Sequence, residues 1–169
     1  NEITRRDRLK EVIAGLEAWR NPNRPDPCIT HNATDHVIQA LGITWQPGQL
    51  AFHPGVNGEY AVVRWTAPAD DTIELSAIFK SIAEAATTDL HVLHNGQALF
   101  DTVINLAGKG PEASYAASLR VKAGDTLDCA CGWGNRNYGA DTTALSVKIK
   151  TTPGKTWDAA GDFSVNKNP

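Results

Sequence analysis

A tryptophan, a tyrosine, two asparagines and an arginine stand together at Trp133-Gly134-Asn135-Arg136-Asn137-Tyr138-Gly139. Sugars offer flat C–H faces that stack on aromatic rings, and hydroxyls that take polar partners in pairs; Trp133, Asn135, Arg136, Asn137 and Tyr138 supply both. The segment lies between two strand-like runs, so it is a loop, and loops on a rigid scaffold are where binding usually resides. Asp89 and His91 join the candidate set. They are two positions apart on a predicted strand, share one face, and can meet polar partners across the sheet. The same loop also suits a glycine-rich connection whose aromatics cap the core and whose asparagines adopt turn conformations. The residues alone leave both readings open.

Other chemistry has weaker signals. His53, His91 and His94 could in principle build a zinc or hydrolytic site, but nothing in their spacing brings them together. A hydrolase domain with a His/Asp metal site is therefore a minor alternative. A glycosidase needs two acids facing one cleft. Asp70-Asp71 reads as turn chemistry, while Glu59, Glu74 and Asp128 stand isolated on strands. There is no GxSxG elbow, phosphate loop or HExxH. Asp141, flanked by Thr142 and Thr143, is the candidate ligand for a structural calcium, and an Asp capping a turn explains it as well.

The elements that must position these residues are mostly strands. Two-residue alternation predicts strands at 44–46, 50–52, 60–65, 72–79, 89–93, 98–104, 115–121, 126–131 and 145–150, separated by turn residues. Ile73, Leu75, Ala77 and Phe79 should face inward. Asn95-Gly96 is the strongest hairpin signal, because a type I′ turn needs positive φ at both central residues. This spacing, with no helical stretch between strands, predicts an antiparallel β-sandwich or jelly roll. The N-terminal segment differs. Leu9, Val12, Ile13, Leu16 and Trp19 recur at three- and four-residue steps, which predicts an amphipathic helix over Thr4–Arg20, stopped by Asn21-Pro22. Packed on the sandwich or on a neighbouring domain, that helix needs no membrane. A second, weaker helix is expected over Asp35–Leu41, with Val37, Ile38 and Leu41 on one face.

The 169 residues are the size of one domain, and a net charge of −3 gives no electrostatic footprint for nucleic acid or anionic lipid. No apolar run approaches the ~18 residues of a membrane span. The chain begins at Asn1 and contains no Met, which reads as a processed or excised piece. Cys129 and Cys131 are expected to be small buried apolar residues, with a bridge from Cys28 to one of them as the alternative.

Several segments resemble β-sandwich modules of large exported proteins of Planctomycetes and related bacteria, some of which also carry c-type cytochrome domains. The matching stretches are Gln46 through Gly55, Val63 through Pro68, Thr88 through Gly96, Leu119 through Asp128 and Tyr138 through Leu145. The resemblance covers roughly residues 28–150. It implies a jelly-roll-like fold and carbohydrate binding, and it brings no catalytic residues with it. Those modules usually have Phe and Val where this chain has Cys129 and Cys131, which implies buried thiols. Trp157-Asp158 through Pro169 resembles the opening of a further module. The expected organisation is thus a helix and Pro-rich connector over 1–27, a sandwich over 28–150, and a tail over 151–169 leading to a neighbouring module. The expected function is a non-catalytic carbohydrate-binding-like module of a secreted or periplasmic multidomain protein. Its partners would be a polysaccharide or glycan and the neighbouring domains of its parent chain. A structural or protein-interaction domain that docks or spaces those domains is the alternative.

Overall fold

The computed structural model describes residues 5–8, 13–20, 24, 26–151 and 154–164, with the backbone alone at 5–8. Their strands are β1 (Arg5–Arg8), β2 (Leu16–Arg20), β3 (Cys28–Asn32), β4 (Ile38–Ala40), β5 (Ile43–Trp45), β6 (Leu50–His53) and β7 (Ala61–Thr66). They continue with β8 (Asp71–Ser81), β9 (Asp89–His94), β10 (Gln97–Val103), β11 (Glu112–Val121), β12 (Thr126–Cys131), β13 (Thr143–Thr151) and β14 (Thr156–Asp158). Every pairing among these strands is antiparallel. No helix among the described residues is long and apolar enough to cross a membrane.

One sheet runs β1-β2-β3-β6-β13-β8-β11, with β14 also paired to β13; the other runs β10-β9-β12-β7. From β6 to β13 the chain alternates between the two sheets, except that β9 and β10 are consecutive in one of them. The resulting orders, β6-β13-β8-β11 and β7-β12-β9-β10, are those of an eight-stranded jelly roll. β8 shows why. Ile73, Leu75, Ala77 and Phe79 are all buried, and Thr72, Glu74, Ser76 and Lys80 are exposed, so one face is fixed inward and the register with it. They meet Val92, Leu127 and Cys129 of the facing sheet in a shared core, where Phe52 stacks on Phe79 at 6.1 Å. Cys28, Cys129 and Cys131 are buried free thiols, and burial pushes the Cys129 thiol to about 12.

The helix expected over Thr4–Arg20 is corrected. Residues 5–8 and 16–20 are strands, and 9–12 lie outside the described residues. β2 is buried on both faces. Leu16 packs in a small outer cluster with Ile38, Trp45 and Ala51, Ala18 is buried on the same face of the strand, and Trp19 packs against the main core. Apolar residues on both sides of a strand mimic the three-residue step of a helix. The helix expected over Asp35–Leu41 is corrected too. β4 and β5 form a hairpin that covers this outer face, anchored by the Trp45 Nε1–H donating to Thr30 Oγ1 at 3.1 Å. Leu41 and Gly42, at φ 54° and 73°, are its two-residue turn, which leaves Leu41 81% exposed.

Candidate functional site

β9 lies inside the smaller sheet with Leu90 and Val92 buried inward, so Asp89 and His91 face outward together. The hairpin turn at Asn95 and Gly96, φ 51° and 77°, pairs His94 with Gln97 and Leu93 with Ala98. Continued without interruption, that register would set Phe100 opposite His91. A bulge between Ala98 and Phe100 adds one residue and sets Asp101 there instead. Phe100 is thereby free to stack inward on Tyr115 at 5.3 Å.

His91 sits between two carboxylates. Its Nε2 is 2.8 Å from Asp89 Oδ2 and its Nδ1 is 2.5 Å from Asp101 Oδ1. Carboxylates only accept, so both ring nitrogens must carry protons for both bonds to exist. That demand favours the imidazolium: the pKa of the ring is raised by the bond to Asp89 and further by Asp101, against partial burial. Asp89 takes more donors: the Tyr60 hydroxyl at 2.5 Å and the Gly134 amide at 2.7 Å. Burial alone would push the Asp89 carboxyl up. The bonds from His91, Tyr60 and Gly134 outweigh it and hold the pKa at about 2. Burial and the Asp89 carboxylate drive the Tyr60 phenol the other way, to about 12.

The Gly134 bond ties the 133–139 loop to this cluster. Gly134 has φ 50°, and a side chain there would run into the Thr87 carbonyl, so the tether needs glycine. Trp133 is half-buried, its ring lying over Gly58 so closely that a β-carbon at 58 would stand 2.9 Å from Cζ2. Asn135 Oδ1 accepts the Asn137 amide at 2.8 Å, and Asn137 Oδ1 accepts the Gly139 amide at 3.0 Å. Both side-chain oxygens thus brace their own loop, as consecutive Asx turns. Arg136 is exposed at φ 65°. Tyr138 is 36% exposed and meets His53 edge-on at 6.0 Å.

The structure therefore gathers Asp89 and His91 with the start of the loop, and places Tyr138 towards His53. Asp101 and Lys109 complete a shallow depression on the outer face that sequence reasoning missed: Asp89, His91, Asp101 and Lys109 line it, and Tyr60 stands T-shaped to His91 at 5.4 Å. Tyr60 carried one readable signal, as an aromatic at the mouth of a predicted strand. Asp101 carried none, because the bulge that delivers it is invisible in the alternation.

The histidines do not converge. His53 stands 3.6 Å from Asp26, His94 lies 3.0 Å from Asp125, and His91 is held as above. Among the described residues no group of three His, Cys, Asp or Glu side chains could hold a metal. Asp141 is fully buried. Its Oδ1 accepts the Thr87 amide at 2.8 Å and its Oδ2 has no hydrogen-bond partner. Burial pushes its carboxyl up, so a proton is the natural complement of that oxygen. Calcium takes six to eight oxygens, and one carboxylate is a poor match for that demand.

No family model matches the chain, and no curated protein matches it. Among solved structures, the CBM51 of Clostridium perfringens GH95, in complex with methyl-galactose, is similar at 12% identity and a TM-score of 0.44, over 83% of this chain and 95% of that one. The CBM22-1 xylan-binding domain of Paenibacillus barcinonensis Xyn10C is similar at 15% identity and a TM-score of 0.40, over 82% and 86%. The GH26-CBM35 β-(1,4)-mannanase of Podospora anserina is similar at 15% identity and a TM-score of 0.38. That alignment covers 66% of this chain, which spans 23% of the mannanase chain.

Proposed function

We propose that this chain is a non-catalytic carbohydrate-binding module that takes neutral sugar units in the outer-face depression at Asp89, His91, Asp101 and Lys109. One observation carries the reading: the 41%-exposed ring of Tyr60 stands against His91, which fixes a carboxylate, Asp101, that is itself 58% exposed. An aromatic face beside an oriented acceptor is what a pyranose ring with adjacent hydroxyls needs. Lys109 supplies a donor across the depression from Asp101. The two cations His91 and Lys109 balance the two anions Asp89 and Asp101, which favours an uncharged ligand.

The same bonds support the non-catalytic reading. Glycoside hydrolysis needs a carboxylic acid that stays protonated near neutral pH. Asp89 is held at about 2, and both protons of His91 are engaged by carboxylates. The module is further inferred to serve a larger exported chain, the setting that the sequence resemblance implies, with residues 151–169 leading to a neighbour.

Affinity electrophoresis through gels of neutral polysaccharides tests the reading. At least one polysaccharide should retard the intact domain, and Tyr60→Ala and Asp101→Ala should each abolish the retardation. A domain that no polysaccharide retards, or whose retardation survives both substitutions, overturns it.

A further inference from the structure

Between the two sheets, on the side where β7 is an edge strand, lies a cavity of about 450 Å³. Protein interiors pack like organic crystals and rarely leave a void larger than a water molecule, so a space of this size at the core is a feature to explain. Its depth is aliphatic: Ile29, Leu75, Val92, Leu127, Val147 and Ile149 line it. Its rim is aromatic and half-buried. Trp65 meets Trp157 T-shaped at 5.3 Å, and Trp19 meets Phe163 at 6.1 Å. Trp19 comes from β2, Trp157 from the last strand, β14, and Phe163 from the residues after β14.

We infer that this cavity is a second binding site, for an uncharged, predominantly hydrocarbon molecule of lipid-like character bearing at most a small hydroxyl or amide end. The volume falls within the roughly 300–1,000 Å³ of small-molecule sites. A sugar does not fit the chemistry, because its hydroxyls would find no acceptors among six aliphatic side chains. Water fits no better, since an apolar cavity stays dry unless polar partners can hold the water in place. An anion lacks a counter-charge there. Arg64 alternates to the face opposite Val63 and Trp65, where its guanidinium forks onto Asp128 at 2.7 and 2.8 Å. Asp162, the remaining charged lining residue, accepts the Asp158 amide at 2.9 Å and repels an anion. A small polar end at the rim would lie near Thr66 and Asp162.

This site is separate from the depression at His91, with which it shares no lining residue. It stands or falls independently of the carbohydrate reading.

The test uses the full chain and the neutral dye N-phenyl-1-naphthylamine. Dye emission should rise saturably, with quenching of tryptophan fluorescence. 1-Dodecanol should displace the dye at least tenfold more effectively than dodecanoate. Val63→Trp places extra volume at a half-buried rim position and should weaken dye binding at least tenfold. Near-UV circular dichroism checks that this variant is folded, and Leu127→Phe replaces it if it is not. Tyr60→Ala, on the other face, should leave dye binding unchanged. The inference is overturned by non-saturating emission, by binding that neither folded filling variant weakens, or by equal competition from dodecanoate. Binding that appears only after removal of residues 165–169 also overturns it, since the chain's own end would then be the occupant.

Discussion

Asp101 reaches His91 only because β10 carries one more residue than β9 between the hairpin turn and the site. The bulge converts a face that would have shown Phe100 into one that shows a carboxylate 2.5 Å from the imidazole. It also favours the doubly protonated ring, since a second carboxylate leaves no place for a nitrogen lone pair.

That arrangement predicts how His91 titrates. The pKa of His91 should lie above the ordinary value of 6.5 and fall in Asp101→Asn, by NMR of the ring protons. The folded-state value is the raised one, so the contribution of the clamp is complete below about 6.5 and is lost as pH rises through the folded value. Asp101 is more than half exposed, and its loss should cost no more than about 1 kcal/mol. Polysaccharide retardation should weaken over the same pH range, because Asp101 loses the proton that orients it. A His91 titration unmoved by Asp101→Asn would show that the pair is not closed in solution.

Asp89 carries the opposite sign. Its folded pKa of about 2 lies below the ordinary value of 3.8. Its contribution is present above 3.8 and lost as pH falls towards 2. At about 1.4 kcal/mol per pK unit this is roughly 2 kcal/mol. Asp89→Asn should lower stability at neutral pH by about that amount and flatten the acid limb of a urea-denaturation series between pH 4 and 2. The Gly134 amide should also exchange with solvent faster, because its acceptor is weakened. Unchanged Gly134 protection would mean that the loop is held without Asp89.

The alternation along β8 was legible because a strand in the middle of a sheet, with one buried face, has to show it. The Asn95-Gly96 turn was legible because its backbone conformation selects its residues. β2 was misread as part of a helix because the β4–β5 hairpin buries its outer face. Leu16 then satisfies one partner and Trp19 another, and no local window contains that hairpin. At the site, Asp89 and His91 could be paired by strand period alone. Tyr60 and Asp101 come from β10 and the approach to β7, brought in by a bulge and by sheet order. The loop from 133 onward was read from its aromatics, yet the oxygens of Asn135 and Asn137 turn inward onto their own backbone. Side-chain type alone does not say which way an amide points.

Trp133 and Gly58 form a second coupled pair. Gly58 has φ 83° and almost touches the indole, so Gly58→Ala adds both backbone strain and a steric conflict. The substitution should cost about 1–3 kcal/mol. In the Trp133→Ala background the steric part disappears and the strain remains. A double-mutant cycle by chemical denaturation should therefore show a favourable coupling of about 0.5–2 kcal/mol between the two changes. Additive costs would mean that the ring moves aside freely and that the 54–60 turn and the 133–139 loop are not packed as one unit.

Asp141 makes the strongest claim about what the fold tolerates. A fully buried carboxylate with one oxygen bonded to the Thr87 amide and the other unpartnered pays for its charge whenever it ionises. The favourable Coulomb effect of His53 only partly offsets that burial. Its folded pKa is raised above 3.8, so its neutral form supports the fold fully below that value, and the support is lost as pH rises through the folded value. Asp141→Asn keeps an acceptor for the Thr87 amide and removes the charge. At pH 8 the variant should melt about 2–4 °C higher for each kcal/mol relieved, and the advantage should vanish in acid, where Asp141 is protonated. Calcium or a chelator should leave the wild-type melting temperature unchanged. A calcium-dependent rise that Asp141→Asn abolishes would assign the unpartnered oxygen to a cation instead of a proton.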